Sequence, residues 1–199
     1  MGEKKSNEIT VKIKCDIDTF YKTVENKGFE IEHKFSMNDT FFIPETLNID
    51  KMNTRDILSK AVLVREIIGK TSGKISKKIT FKIKKFDEHG NILSQKSVNC
   101  DILEISDAKS LLNAMGYKEI MNIKENDIVY KKDDFEMAIK NIENGDNLIE
   151  IETNDKLDTI DKLIKEIKNI KLPIYEDNFF VKKAEIELDK ALKRTIVNW

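Results

Sequence analysis

The sequence is short of cysteine, histidine and glycine, and it has no excess of either charge. Each shortage removes a class of function. Two cysteines, Cys15 and Cys100, cannot build a disulfide framework; each closes an apolar strand pattern, so buried reduced thiols are expected. The two histidines, His33 and His89, are far apart with no Ser/His/Asp arrangement around them, and surface positions are expected for both. Seven glycines form no glycine-rich phosphate loop. With 35 Lys and Arg against 36 Asp and Glu, nothing in the overall charge points to nucleic acid. An anion site must therefore be made locally, by gathering cations in one place. No run of eighteen apolar residues exists, and Met1-Gly-Glu-Lys-Lys lacks a signal peptide's apolar stretch, so a soluble cytoplasmic protein is expected. Met1-Gly2 with Ser6 matches the myristoylation pattern only formally, since no second membrane signal accompanies it.

What remains is a folding sequence. Of 199 residues 40% are apolar and 36% charged, but both signs interleave and the apolar residues recur periodically as far as Leu188 and Leu192. Ile9, Val11 and Ile13 alternate with Glu8, Thr10, Lys12 and Lys14, the pattern of a half-buried strand. Asp16 then stands as an N-cap, Phe20 and Val24 follow at helical spacing, and Gly28 ends the helix. Further strands are expected at 30–42, 62–68, 79–86 and 92–102, and helices at 54–60, 107–115, 156–169 and 178–193. In the 156–169 helix Leu157, Ile160, Leu163, Ile164 and Ile167 make the apolar face. The segment Pro44–Ser59 reads as an insertion with a short helix, an ordinary surface excursion in preference to a cap over one mouth of the fold.

The second half repeats the first. Lys14-Cys-Asp-Ile17 reappears as Asn99-Cys-Asp-Ile102, and Gly28 and Gly116 are 116 − 28 = 88 apart, an offset that places Asn38-Asp39 on Asn126-Asp127 and Phe42 on Tyr130. One pseudo-symmetric domain is expected over residues 7–193, with tails at 1–6 and 194–199.

Every long strand has an apolar side and a side mixing Lys, Arg, Glu and Asp. Lys82 and Lys84 share a side with Thr80, and the two carboxylates of Glu150-Ile-Glu152 point the same way, as a pair that could hold one hard cation. Such faces are ordinarily solvated. Amphipathic helices must cover an apolar sheet face, however, and a sheet that curls shut with helices outside turns its charged face into a tunnel wall. Enclosed cations then need an anionic guest or paired carboxylates.

At these residues the chain resembles the CYTH superfamily, the triphosphate tunnel metalloenzymes that include class IV adenylate cyclases, thiamine triphosphatases and tripolyphosphatases. The resemblance runs over Glu8-Ile-Thr-Val-Lys12, Asn38-Asp-Thr-Phe-Phe42, Ala61-Val-Leu-Val-Arg65, Thr80-Phe-Lys82 and 138–152. It implies an α+β fold: a closed eight-stranded antiparallel β-barrel with helices outside. It also implies Mg²⁺ or Mn²⁺ held by Glu8, Glu150 and Glu152, which are then the catalytic carboxylates, and phosphate contacts from Lys12, Arg65 and Lys82, with Lys84 added on the same face.

Four positions depart from the family's pattern. Thr10 stands where the Glu-x-Glu-x-Lys signature has its middle glutamate, and Leu63 removes one arginine of an Arg-x-Arg clamp. Asp127 replaces an arginine and Lys140 an aspartate. With a turn at Asp133-Asp134, 127 + 140 = 267 puts Asp127 opposite Lys140, so the charges are exchanged across one rung. The resemblance thus implies metal-dependent hydrolysis of an inorganic or organic triphosphate; the four departures favour the alternative, a weak or inactive phosphate- or nucleotide-binding module.

Overall fold

The structure is a computed structural model that describes residues 8–86 and 92–193, with only the backbone described for 84–86 and 92–95. The expected turn at His89, the side chain of Lys84 and the two chain ends fall outside the described residues. In chain order the elements are β1 (Glu8–Lys12), α1 (Ile17–Asn26), β2 (Glu30–Pro44), a 3₁₀ turn (Ile49–Lys51), α2 (Thr54–Leu58), β3 (Val62–Gly69), β4 (Ile75–Phe86), β5 (Ile92–Asp101), α3 (Ile105–Ala114), β6 (Tyr117–Lys132), β7 (Phe135–Ile142), β8 (Asn147–Glu152), α4 (Ile160–Ile170) and α5 (Lys183–Ala191).

Local chemistry sets the boundaries. The Asp16 carboxylate accepts the Thr19 backbone N–H at 2.9 Å and starts α1. Gly28 at φ 81° and Gly116 at φ 78° follow the ends of α1 and α3, in a conformation that glycine adopts without a Cβ clash. The helices themselves are 88 residues apart, since 105 − 17 and 114 − 26 both give 88. The Cys-Asp match, by contrast, is not structural. Asp16 caps α1, whereas Asp101 ends β5, and the residue 88 after Asp16 is Glu104, the N-cap of α3. Helix α4 starts later than expected because the Asn154 side chain accepts the Lys156 and Leu157 backbone N–H groups and turns the chain there.

All eight strands join one antiparallel sheet in the order β1-β8-β7-β6-β2-β3-β4-β5. The expected closed barrel differs from this. Among the described residues no ladder joins β1 to β5, because the free edge of β1 is taken by the segment 173–181. Thr10 N–H donates to Phe179 O at 3.0 Å, Val181 N–H to Thr10 O at 3.0 Å and Tyr175 N–H to Lys12 O at 2.9 Å. That use of residues 173–181 also delays α5 to Lys183.

The apolar residues of the strands meet helices on the outer face. Ile9, Val11, Met137, Ile139, Ile149 and Ile151 pack with Phe20 and Val24 of α1 and Leu163 and Ile167 of α4. Each fully buried side chain of this size contributes roughly 1.5–3 kcal/mol against the chain entropy lost on folding. Phe42 and Val64 pack against Ala108 and Leu112 of α3. A third cluster lies on the opposite face, where Ile57 of α2 and Leu188 of α5, both 0% exposed, cover Met121, Ile123, Ile142 and Leu148. The segment 44–59 is mostly exposed or half-buried, but its helix is anchored: Ile57 of α2 enters the core, and α2 locks onto α5 through Arg55–Glu185 at 3.0 Å and a Thr54–Asp189 hydrogen bond. The cysteines also differ from expectation. Both are free thiols, but Cys15 is only half-buried and Cys100 is exposed, because β5 is an edge strand that the helices leave uncovered.

Candidate functional site

The ladder registers assign the charged face strand by strand. Side chains alternate along each strand, and directly opposed residues share a face. Asp127 pairs with Lys140, Ala138 with Glu150 and Thr10 with Glu150 on one side of the sheet. Asp39 pairs with Arg65, Arg65 with Lys78 and Leu63 with Thr80 on the other. Because Met37 pairs with Glu125, both groups lie on one continuous face, the one whose apolar end α2 and α5 cover.

The charges on this face interact across the sheet. Arg65 on β3 feels Glu150 on β8, four strand steps away. In a flat sheet that is about 19 Å, roughly two screening lengths. The sheet must curl to bring them within range, so the charged face is concave.

Glu8, Glu150 and Glu152 form an acidic corner where β1 meets β8. One oxygen from each lies within 4.8 Å of the others, all are carboxylates, and Glu8 and Glu150 are half-buried. This donor set fits a hard divalent cation such as Mg²⁺ or Mn²⁺. Thr10 sits inside the corner, opposite Glu150 and 8% exposed, and offers a hydroxyl where a fourth carboxylate would stand. Among the described residues no histidine joins the corner; His33 is exposed and stacks on Phe35 at 5.8 Å.

The expected phosphate contacts are divided. Lys12 lies on β1 beside the acidic corner and pairs with Asp146 at 2.8 Å. Arg65 donates from Nε and one terminal nitrogen to the two oxygens of Asp39, at 2.7 and 2.5 Å. Burial opposes the guanidinium charge, but Asp39, Glu125 and Glu150 outweigh it, so its pKa rises further. Lys82 is half-buried on β4, on the face of Lys78 and Thr80. Leu63, two residues before Arg65 and opposite Thr80, is buried, so an apolar side chain stands where the resemblance expects a second arginine.

The exchanged rung lies at the centre. Asp127 faces Lys140 in register, with Asp133 at φ 51° making the turn. Lys140 Nζ, 5% exposed as a residue, lies 3.2 Å from Asp127 Oδ2, 3.5 Å from Glu150 Oε1 and 3.6 Å from Glu125 Oε1. Burial works against its charge, yet Glu150, Glu125 and Asp127 together raise its pKa, so it stays an ammonium. Burial pushes the Asp127 carboxyl up to about 6, with Lys140 opposing and Glu125 adding to the rise. Burial acts likewise on Glu125, but Lys183 at 2.7 Å and Lys140 hold its pKa below the ordinary value.

Sequence reasoning singled out neither Glu125 nor Lys183. Glu125 was legible in principle, two residues before Asp127 on the same strand face. Lys183 carries no such signal, because it reaches the sheet from the start of α5. Asp39 was visible as the repeat partner of Asp127, since 127 − 39 = 88, and within the segment Asn38-Asp-Thr-Phe-Phe42, but with no role assigned.

No protein-family model matches the sequence, and no curated protein matches it. Solved structures do. The PH1819 protein from Pyrococcus horikoshii OT3 superposes with a TM-score of 0.66 at 19% identity, over 92% of this chain and 99% of that one. The candidate adenylyl cyclase HpAC1 from Hippeastrum, described as having a dominant triphosphatase activity, gives 0.60 at 11% identity over 96% and 97%. A candidate adenylate cyclase from Vibrio parahaemolyticus gives 0.56 at 13% identity over 96% and 99%. Among the described residues no helix is long and apolar enough to cross a membrane. At 11–19% identity these likenesses show a shared fold that extends over nearly the whole chain.

Proposed function

We propose that the concave face is the wall of a tunnel that binds a triphosphate with one divalent cation and hydrolyses it. The observation that carries this reading is the acidic corner of Glu8, Glu150 and Glu152 on the same face as the lysines of β4. A triphosphate–metal complex has both signs: carboxylates meet the cation, and ammonium and guanidinium groups meet phosphate oxygens. The triphosphatase activity described for HpAC1, a protein of the same fold, supports the same reading.

Phosphoryl transfer asks mainly for positioning and charge neutralisation. Glu8, Glu150 and Glu152 would hold Mg²⁺ or Mn²⁺, which when bound polarises the phosphoryl group. Lys82 on β4 would hold the phosphate chain from the far side of this face, while Lys12 would grip it beside the acidic corner. Arg65 is held rigid by Asp39 and presents its remaining donor edge to a phosphate oxygen. Hydrolysis is preferred to cyclisation because nothing in the sequence identifies a nucleobase pocket.

The test is release of phosphate from tripolyphosphate or a nucleoside triphosphate with Mg²⁺ or Mn²⁺. Activity that Glu150→Gln abolishes is the expected result. The second reading, a binding module without turnover, is favoured by the ion pairs Arg65–Asp39 and Lys12–Asp146, which already satisfy two of the proposed phosphate ligands. Thermal stabilisation by tripolyphosphate without any phosphate release would select it.

A further inference from the structure

Glu150 belongs to two cation seats at once. One is the acidic corner, where it lies within 4.8 Å of Glu8 and Glu152. The other is Lys140, whose ammonium is 3.5 Å from Glu150 Oε1. The second seat is already filled, and the lysine's three carboxylate partners come from β6 and β8, with Asp127 at 3.2 Å and Glu125 at 3.6 Å. These distances suit an ammonium, not a divalent ion, which draws oxygens to about 2.0–2.6 Å. The cage is also incompletely satisfied. Asp127 Oδ1 and Glu125 Oε1 are buried and accept no hydrogen bond, although Asp127 is 1% and Glu125 2% exposed. Lys140 thus holds a cluster with anionic capacity to spare, and Glu150 is the one partner that also faces the corner.

We propose that Lys140 is an internal cation that competes for Glu150 with the divalent ion at Glu8, Glu150 and Glu152, and so sets how tightly that ion is held. This rests on the metal reading of the corner given above. Two cations on one carboxylate repel each other, and each takes electron density that the other would use. Lys140 is a positioning residue in this scheme, since it acts on the ion through Glu150. The same competition makes Asp127 an indirect determinant: by sharing the ammonium, it leaves Glu150 freer to serve the ion.

The two residues then have opposite effects on metal affinity, which a purely structural role would not produce. The measurement is calorimetric titration of the full chain with Mn²⁺ alone, without any phosphate compound. Lys140→Met is expected to tighten Mn²⁺ binding by on the order of tenfold, while Lys140→Arg, which keeps the charge, stays near the wild-type value. Asp127→Asn is expected to weaken binding several-fold, and to have little effect in the Lys140→Met background.

Unchanged Mn²⁺ affinity in folded Lys140→Met overturns the proposal. If that variant does not fold, Asp127→Asn decides, and unchanged or tighter binding there overturns it equally. Wild-type binding that Glu152→Gln abolishes, with Lys140→Met unchanged, leaves the metal corner standing and removes only the role of Lys140. Absence of Mn²⁺ binding in the wild type and every variant removes both.

Discussion

The two halves of the sheet each place an aspartate on the long strand after a helix and a cation directly opposite it. In the first half the rung is Asp39 and Arg65; in the second, 88 residues on, it is Asp127 and Lys140. The same geometry gives two different electrostatic results. Arg65 spends two donors in a fork on one carboxylate, with both oxygens of Asp39 engaged. Lys140 is a point charge with no fork, and it collects three carboxylates at 3.2–3.6 Å while leaving Asp127 Oδ1 without a partner. A guanidinium closes a pair, whereas an ammonium in the same place gathers a cluster. The first rung therefore engages its aspartate fully and feels Glu125 and Glu150 only as nearby charges, whereas the second is in direct contact with the acidic corner through Glu150.

The largest expected break in this comparison is Lys140→Ala. It strands Asp127 without its cation and leaves Glu125 to Lys183 alone, and a cost of about 3 kcal/mol is expected by denaturant unfolding. A melting temperature equal to wild type would show that the cluster relaxes without its centre. Next is the pH dependence of Asp127. An aspartate whose pKa is raised from 3.8 to about 6 on folding holds its proton more tightly in the folded state. It favours folding below about pH 4, and that preference is lost as pH rises through 6. Relative to Asp127→Asn, the wild type should therefore lose stability across that window, by up to about 3 kcal/mol. A flat difference between the two unfolding curves would mean that Lys140 cancels the effect of burial.

On the first rung, Arg65→Lys keeps the charge but removes the fork, for an expected loss of about 1–2 kcal/mol and weaker binding of tripolyphosphate. Should the halves be interchangeable, this lysine would behave as Lys140 does and the loss would vanish. The smallest effects are at the helix ends. Gly28→Ala and Gly116→Ala each force a Cβ into a left-handed conformation, at about 1 kcal/mol apiece. The nearest atom to a Cβ at Gly28 is Lys132 Nζ at 3.6 Å, ordinary contact distance, and nothing lies within 4 Å at Gly116. Equal melting-point shifts in the two variants are the expected reading.

Much of the candidate site is legible in the sequence, because period-two strands fix which side chains share a face. Glu8 with Lys12 and Glu150 with Glu152 followed from alternation alone, and the Asp127–Lys140 rung followed from counting around a turn. The helix caps at Asp16 and Gly28 were legible for the same local reason. Failures came where a residue's surroundings are set by distant chain. Cys100 ends an apolar strand pattern, but its exposure depends on β5 being at the edge. The burial of Ile57 depends on α5, more than a hundred residues later.

The sequence by itself determined the alternation, the 88-residue repeat and the faces on which the charges stand, since these depend on spacing of two and 3.6 residues along one chain. Only the tertiary structure decided what those charges do to one another. Asp39 closing on Arg65, Lys183 reaching Glu125 from α5, and the segment 173–181 occupying the edge of β1 are contacts between residues that no local period relates. Ionic energies depend on distance and burial, and the fold alone supplies both.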